Sequence, residues 1–257
     1  ILPGLLLALL FALYCIIAAI RNPSIAPAGD YTVKLTPDEM RSELIGGIGI
    51  LCLILLVIGG LWGGFFTPTE AAGFGALGAL ALGIVKGMRW ADIMQAIYNA
   101  GKTTAPIMFL LITASMYSRL LAMGGAINYI SSLFLGLDIS PLAIVLLMGL
   151  VWLALGMLID SVSIILLTVP IFAPIAMALG FDPLAFAIYG ILLIEAGLLT
   201  PPFGLLVFTV KGSVPDKAVT LGMIFRGSFP YTILLIVCAG LIIAFPWLAS
   251  WLPSVSY

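Results

Sequence analysis

Histidine is absent from these 257 residues, and charged side chains supply only 8% of them. The first absence removes imidazole from any metal site or acid–base mechanism. The second removes the means of wetting a globular surface, since a soluble domain typically carries about 25% charged residues. Ten basic residues nearly balance eleven acidic ones, so the net charge is −1 and no polybasic surface exists for nucleic acid. Cysteine is scarce too. Cys15, Cys52 and Cys238 are odd in number and sit inside apolar runs, as small buried hydrophobes do, which excludes a disulfide framework or thiolate metal site.

What is present is apolar: 63% of residues are hydrophobic and the mean hydropathy is +1.29. Lipid must therefore replace water as the outer solvent, and a spanning helix then needs about 20 apolar residues. Apolar runs fall at 2–20, 47–66, 71–85, 103–122, 140–157, 162–179, 184–210 and 230–248, which predicts an all-α, multi-pass membrane protein. The long polar loop is 21–46. Within it, Thr36-Pro37-Asp38-Glu39 reads as a capping box with proline at the first helical position, so a short surface helix is expected there. Lys86, Arg89 and Lys102 bracket a mixed segment with Trp90 and Tyr98 that suits a helix lying at the interface. Trp247 and Trp251 suit headgroup depth. Gly59-Gly60 with Gly63-Gly64 reads as a small-residue packing face. The opening Ile1-Leu2-Pro3-Gly4 has neither an initiator Met nor the basic start of a signal peptide, so the chain is expected to be the later part of a longer one.

Orientation follows from lysine and arginine. With 21–46 cytoplasmic, the runs thread so that nine of the ten basic residues lie inside, Arg119 being the exception. The C-terminus is then outside. This parity is the same whether 140–179 crosses twice or turns back midway.

Ionisable groups within apolar runs mark functional candidates. Glu70 follows Thr67-Pro68-Thr69 and completes a capping box, its plainest role. Asp160 either caps the helix starting at Ser161 or sits at a hairpin tip facing a wet cavity, and the two roles are compatible. Glu195 opens the most informative segment, Glu195-Ala196-Gly197-Leu198-Leu199-Thr200-Pro201-Pro202-Phe203-Gly204. Two consecutive prolines remove two backbone donors, so a helix cannot run through uninterrupted. Broken backbone at membrane depth persists only when buried in protein or lining a cavity. Its freed carbonyls and the Thr200 hydroxyl are hard oxygen ligands suited to Na⁺. A simple proline kink is the plainer alternative.

Four stretches together resemble the large membrane subunit of TRAP (tripartite ATP-independent periplasmic) transporters. They are Phe66-Thr67-Pro68-Thr69-Glu70-Ala71-Ala72, the run from Gly156 to Pro174, the run from Glu195 to Phe208 leading to Lys211-Gly212, and Ile224-Phe225-Arg226-Gly227. The resemblance implies the second inverted repeat of an elevator-type ion transporter, with a re-entrant helical hairpin and a broken helix. Residues 1–20 would be the last helix of a missing first repeat, and 21–46 a cytoplasmic loop with a short helix. Scaffold and interfacial helices would occupy 47–102, and a connecting helix and outer loop 103–139. The transport-domain hairpin and broken helix would occupy 140–210, and a cytoplasmic loop and final helix 211–257. The scaffold would include 2–20 together with 47–85.

The resemblance further implies a Na⁺ site with Gly156, Gly197 and Thr200 as matching positions and Phe203 as a further carbonyl. Asp160, Ser161, Ser163, Pro201, Pro202 and Gly204 would line the substrate cavity. No cofactor is implied beyond Na⁺ as coupling ion. The expected partners are a small TRAP membrane subunit, a periplasmic solute-binding protein, an organic-acid substrate and the lipid of a bacterial or archaeal inner membrane. A stand-alone carboxylate symporter is the alternative, and an enzyme is not expected.

Overall fold

The computed structural model describes residues 1–23, 36–136, 139–214 and 218–256, whose regular elements are α-helices. In chain order these are α1 (Leu2–Arg21), α2 (Pro37–Trp62), α3 (Pro68–Val85), α4 (Trp90–Met123), α5 (Ala126–Leu135) and α6 (Pro141–Gly156). Then follow α7 (Ser161–Ala178), α8 (Pro183–Leu198), α9 (Leu205–Ser213), α10 (Leu221–Ala244) and α11 (Trp247–Ser256). By length and composition, α1, α3, α4, α7 and α10 are long and apolar enough to cross a membrane. The multi-pass expectation holds at that level.

Helix starts follow side-chain chemistry. Ser140, Asp160, Asp182 and Thr220 each accept the N–H of the residue three further on, capping α6, α7, α8 and α10. Proline occupies the first turn of α6 and α8, where its missing N–H costs nothing. At α3 the expected capping box is present. The Thr67 N–H and hydroxyl both donate to Glu70 Oε2, at 2.8 and 2.7 Å, and the Glu70 N–H donates back to Thr67 Oγ1.

Several helix starts differ from the sequence reading: the helices begin before the apolar runs do. The short surface helix at 37 continues unbroken to Trp62. The interfacial segment and the 103–122 run are one 34-residue helix, α4, because Gly101-Lys102-Thr103 supplies no break and Pro106 is absorbed within it. At about 51 Å it exceeds the hydrocarbon core of about 30 Å. The last long helix begins at Leu221 instead of 230, with Pro230 inside it. Gly60 and Gly63 make room for the rings of Phe66 and Phe65 from the following turn, not for a neighbouring helix. Where α2 and α3 do pack, Gly78 faces Leu53, Gly75 faces Val57 and Gly49 faces Leu82.

Contacts divide the chain into two units: residues 27–107, and residues 1–26 with 108–255. The first holds α2, α3 and the first half of α4. In the second, α1 packs on α10, through Phe11 and Tyr14 against Tyr231. The core of this unit lies among α6, α7, α8 and α10. Trp152 is its centre, surrounded by Phe172, Phe186 and Tyr189 at ring separations of 5.3, 5.0 and 6.3 Å.

A buried indole needs a partner for its N–H. Trp152 Nε1 donates to Thr168 Oγ1 at 2.7 Å, joining the two arms of the α6–α7 hairpin, and the Thr168 hydroxyl donates to Ile164 O. Tyr189 donates its hydroxyl to Val145 O at 3.2 Å, joining α8 to α6.

Gly149 lies where a Cβ would collide with the Tyr189 hydroxyl and come within 2.5 Å of Leu193. Gly149→Ala is therefore expected to lower stability by about 1–3 kcal/mol, as overpacking does. Tyr189→Phe removes the colliding oxygen. In that background the alanine should cost measurably less, a non-additive cycle read by thermal melting of the detergent-solubilised protein. Equal costs in both backgrounds would contradict this packing.

Candidate functional site

The segment that cannot continue a helix is Leu199 to Gly204. α8 ends at Leu198, α9 begins at Leu205, and the peptide bond between Pro201 and Pro202 is cis. Gly204, at φ +55°, takes the left-handed conformation that glycine adopts most readily, and it caps α9. The break predicted at Thr200-Pro201-Pro202 is thus present, one turn after Ala196 and Gly197.

α6 and α8 run parallel, since Gly149 meets Tyr189 near their middles and Gly156 meets Gly197 near their ends. Their C-termini therefore arrive together, α6 at the hairpin turn Met157–Asp160 and α8 at the break. The approach is backbone to backbone. A Cβ on Gly156 would lie 2.5 Å from Ile194 O and 2.9 Å from Gly197 Cα, and one on Gly197 would lie 2.5 Å from Leu153 O. Gly190 serves the same crossing by admitting the Trp152 ring.

This arrangement has an electrostatic consequence. Each helix C-terminus carries roughly half a negative charge and its last carbonyls lack intrahelical donors. Two such ends meet at Gly156 and Gly197. The Thr200 N–H donates to Gly197 O at 2.8 Å and its hydroxyl donates to Ala196 O at 2.8 Å. With its proton so directed, the Thr200 oxygen keeps lone pairs free to accept or to ligate. Among the described residues no group of three or more His, Cys, Asp or Glu is placed to hold a metal ion, so the oxygens gathered here are neutral ones.

Of the residues singled out from sequence, the structure brings Gly156, Gly197 and Thr200 together. Pro201, Pro202 and Phe203 form the turn that follows, and the Phe203 side chain is exposed. Asp160 caps α7: its carboxylate accepts the Ser163 N–H at 2.9 Å and the Ser163 hydroxyl at 2.6 Å, and Ser161 opens the helix. Ser163 also lines a cavity of about 240 Å³ with Leu110, Thr113, Ala114, Tyr117, Leu166 and Leu167. Glu195 is partly exposed, one residue before the buried Ala196–Leu198 turn.

Sequence reasoning missed three side chains. Thr113 and Tyr117, a turn apart on α4, face the Ser163 cavity, and nothing in an apolar run sets them apart from other hydroxyls. The apolar runs leave Arg226 in the loop before the last helix. It lies instead within α10 and lines a cavity of about 290 Å³ with Leu199, Thr200, Pro201, Phe225, Phe229 and Thr232. Thr220 as an N-cap was the available signal.

Comparison with known proteins agrees with the resemblance. Residues 1–248 match the family described as the tripartite ATP-independent periplasmic transporter, DctM component. The chain is 31% identical to the large permease protein of a C4-dicarboxylate TRAP transporter from Pseudomonas aeruginosa, over 98% of this chain and 58% of that protein. It is 32% identical to the large permease protein of a sialic acid TRAP transporter from Vibrio cholerae, over 78% of this chain and 47% of that protein. It is 28% identical to the large permease protein of an ectoine TRAP transporter from Halomonas elongata, over 99% and 58%. The chain thus spans roughly half the length of these curated relatives.

The geometry makes Gly156 and Gly197 intolerant of any side chain, because the obstructing atoms are backbone. Gly197→Ala is expected to lower the melting temperature well beyond the effect of Gly227→Ala, at a position on α10 with open space around it. A loss of about 2–3 kcal/mol against about zero is the expected contrast. Equal melting temperatures for the two variants would rule out the close crossing.

Proposed function

The chain belongs to the tripartite ATP-independent periplasmic transporter family as a DctM component, and from that premise we propose that it forms the ion-binding second half of a Na⁺-coupled importer. The observation that carries this reading is the meeting of two half-helix C-termini and the Thr200 hydroxyl at Gly156 and Gly197. Neutral carbonyl and hydroxyl oxygens at negative dipole ends suit a small monovalent cation, and they offer no carboxylate cluster of the kind divalent ions prefer.

The hairpin reading draws support from length. α6 has 16 residues, about 24 Å, short of a hydrocarbon core of about 30 Å. An α6–α7 pair that enters from the outer side and turns back at Met157–Asp160 places the break and the hairpin turn at membrane depth. There, irregular backbone lines an aqueous site. The hydrogen bonds from Trp152 and Tyr189 hold α6, α7 and α8 together. That supports an elevator in which this group moves as one body past a fixed scaffold.

The substrates would be small organic acids. C4-dicarboxylates, sialic acid and ectoine, named for the relatives' transporters, share a carboxylate. A small membrane subunit and a periplasmic solute-binding protein would complete the assembly in an inner membrane, with the C-terminus on the outer side.

The test is uptake into proteoliposomes by the full-length permease with its small subunit and binding protein. Removal of the Na⁺ gradient should abolish uptake. Thr200→Ala should raise the Na⁺ concentration for half-maximal uptake roughly tenfold, about 1.4 kcal/mol for one lost oxygen ligand. Thr200→Ser should stay near wild type. Uptake indifferent to Na⁺, or an unshifted Thr200→Ala, would remove the ion-site assignment, and uptake without any binding protein would favour a stand-alone symporter.

A further inference from the structure

The cavity on the α10 side of the break carries a charge that neither the fold nor the ion site uses. Arg226 is the sixth residue of α10, and about 27 Å of helix separate it from Ala244. Arg226 shares a cavity of about 290 Å³ with Thr200 and Pro201, which sets it beside the break. Among the described residues it makes no ion pair or hydrogen bond. A guanidinium stays charged in proteins, and Arg226 is exposed, so its charge is open to an anion that enters the cavity.

The remaining walls narrow the ligand. Phe225, Phe229 and Leu199 are apolar. The hydroxyls of Thr200 and Thr232 already donate to Ala196 O and Ser228 O, so neither offers a free proton to an anion. Arg226 is thus the one donor among the side chains lining the cavity. The α9 N-cap Gly204 sits against the Phe225 ring, which brings the positive end of that helix to the cavity edge. One planar bidentate donor above an apolar floor fits a carboxylate on a short carbon skeleton.

We propose that Arg226 is the carboxylate-recognising residue of a substrate subsite between the break and α10. The proposal rests on the organic-acid importer reading above. The subsite selects the group those substrates share and leaves the rest of the skeleton to other walls.

The experiment uses the full-length permease with its small subunit and binding protein, in a cysteine-free background, with succinate and N-acetylneuraminate as probes. Arg226→Gln should reduce Na⁺-driven uptake at least tenfold, while the Na⁺ concentration for half-maximal rate stays at the wild-type value. Arg226→Lys should recover part of the rate. Arg226→Cys should be inactive and regain uptake on modification with a positively charged aminoethyl methanethiosulfonate, but not with the negatively charged sulfonatoethyl reagent. That rescue also shows that the variant is folded. Full activity of Arg226→Gln, or equal rescue by both reagents, would overturn the assignment while leaving the ion site intact. Wild-type uptake independent of Na⁺ would instead overturn the importer reading. The measurements are made in neutral phosphatidylcholine vesicles and again with phosphatidylglycerol. A defect seen only with the anionic lipid would identify a lipid headgroup as the ligand and overturn the substrate assignment.

Discussion

Backbone meets backbone where α6 crosses α8, at Gly156 and Gly197, and the other features of this unit depend on that approach. Any Cβ at either position would strike a carbonyl oxygen or a Cα of the opposite helix. Without a driving force from water, helices in lipid associate through close van der Waals packing, which small residues allow. The crossing is parallel, so it brings two helix C-termini to one place instead of pairing a C-terminus with an N-terminus. Up the same crossing, Gly149 admits Tyr189 and Gly190 admits Trp152, and each large side chain then finds its hydrogen-bond partner. One geometric condition, four glycines at two seven-residue spacings, thus sets the packing, the polar satisfaction of the core and the charge character of the break.

Much of this was legible beforehand, though unevenly. The helix starts were written in capping residues and prolines at Ser140-Pro141, Asp160, Asp182-Pro183 and Thr67-Pro68. The break was written in Pro201-Pro202, because removing two consecutive donors leaves a helix no route through. The ends were harder. Polar residues such as Lys102 and Arg226 suggest boundaries in the sequence, yet both lie inside helices that run past the apolar segment, since helix formation asks only for backbone geometry and tolerates an exposed charge. The juxtaposition of Gly149 with Tyr189 was out of reach, because which face of α6 meets α8 depends on packing that no local pattern encodes. The same holds for the cavity that Arg226 shares with Thr200.

Membership in the DctM component family fixes the kind of molecule this is, and the physical reading says where in this half of it ions and anions would be handled. Negative helix ends and neutral oxygens gather on the α6 side of Thr200, while a guanidinium stands on the α10 side. The Asp160 carboxylate, the ionisable group nearest the hairpin turn, is taken up by capping α7. Its bonds to Ser163 fix the start of α7 after the Met157–Asp160 turn.

The central claim is that the α6–α8 convergence binds a cation, and the most direct measurement is equilibrium binding of ²²Na⁺ to the purified full-length permease in the absence of substrate. The account predicts saturable binding displaced by unlabelled Na⁺ and not by K⁺, with one class of sites weakened in Thr200→Ala. Identical stoichiometry and affinity in wild type and Thr200→Ala would contradict it, and would leave the break at Thr200-Pro201-Pro202 as a bend in the chain with no ion to hold.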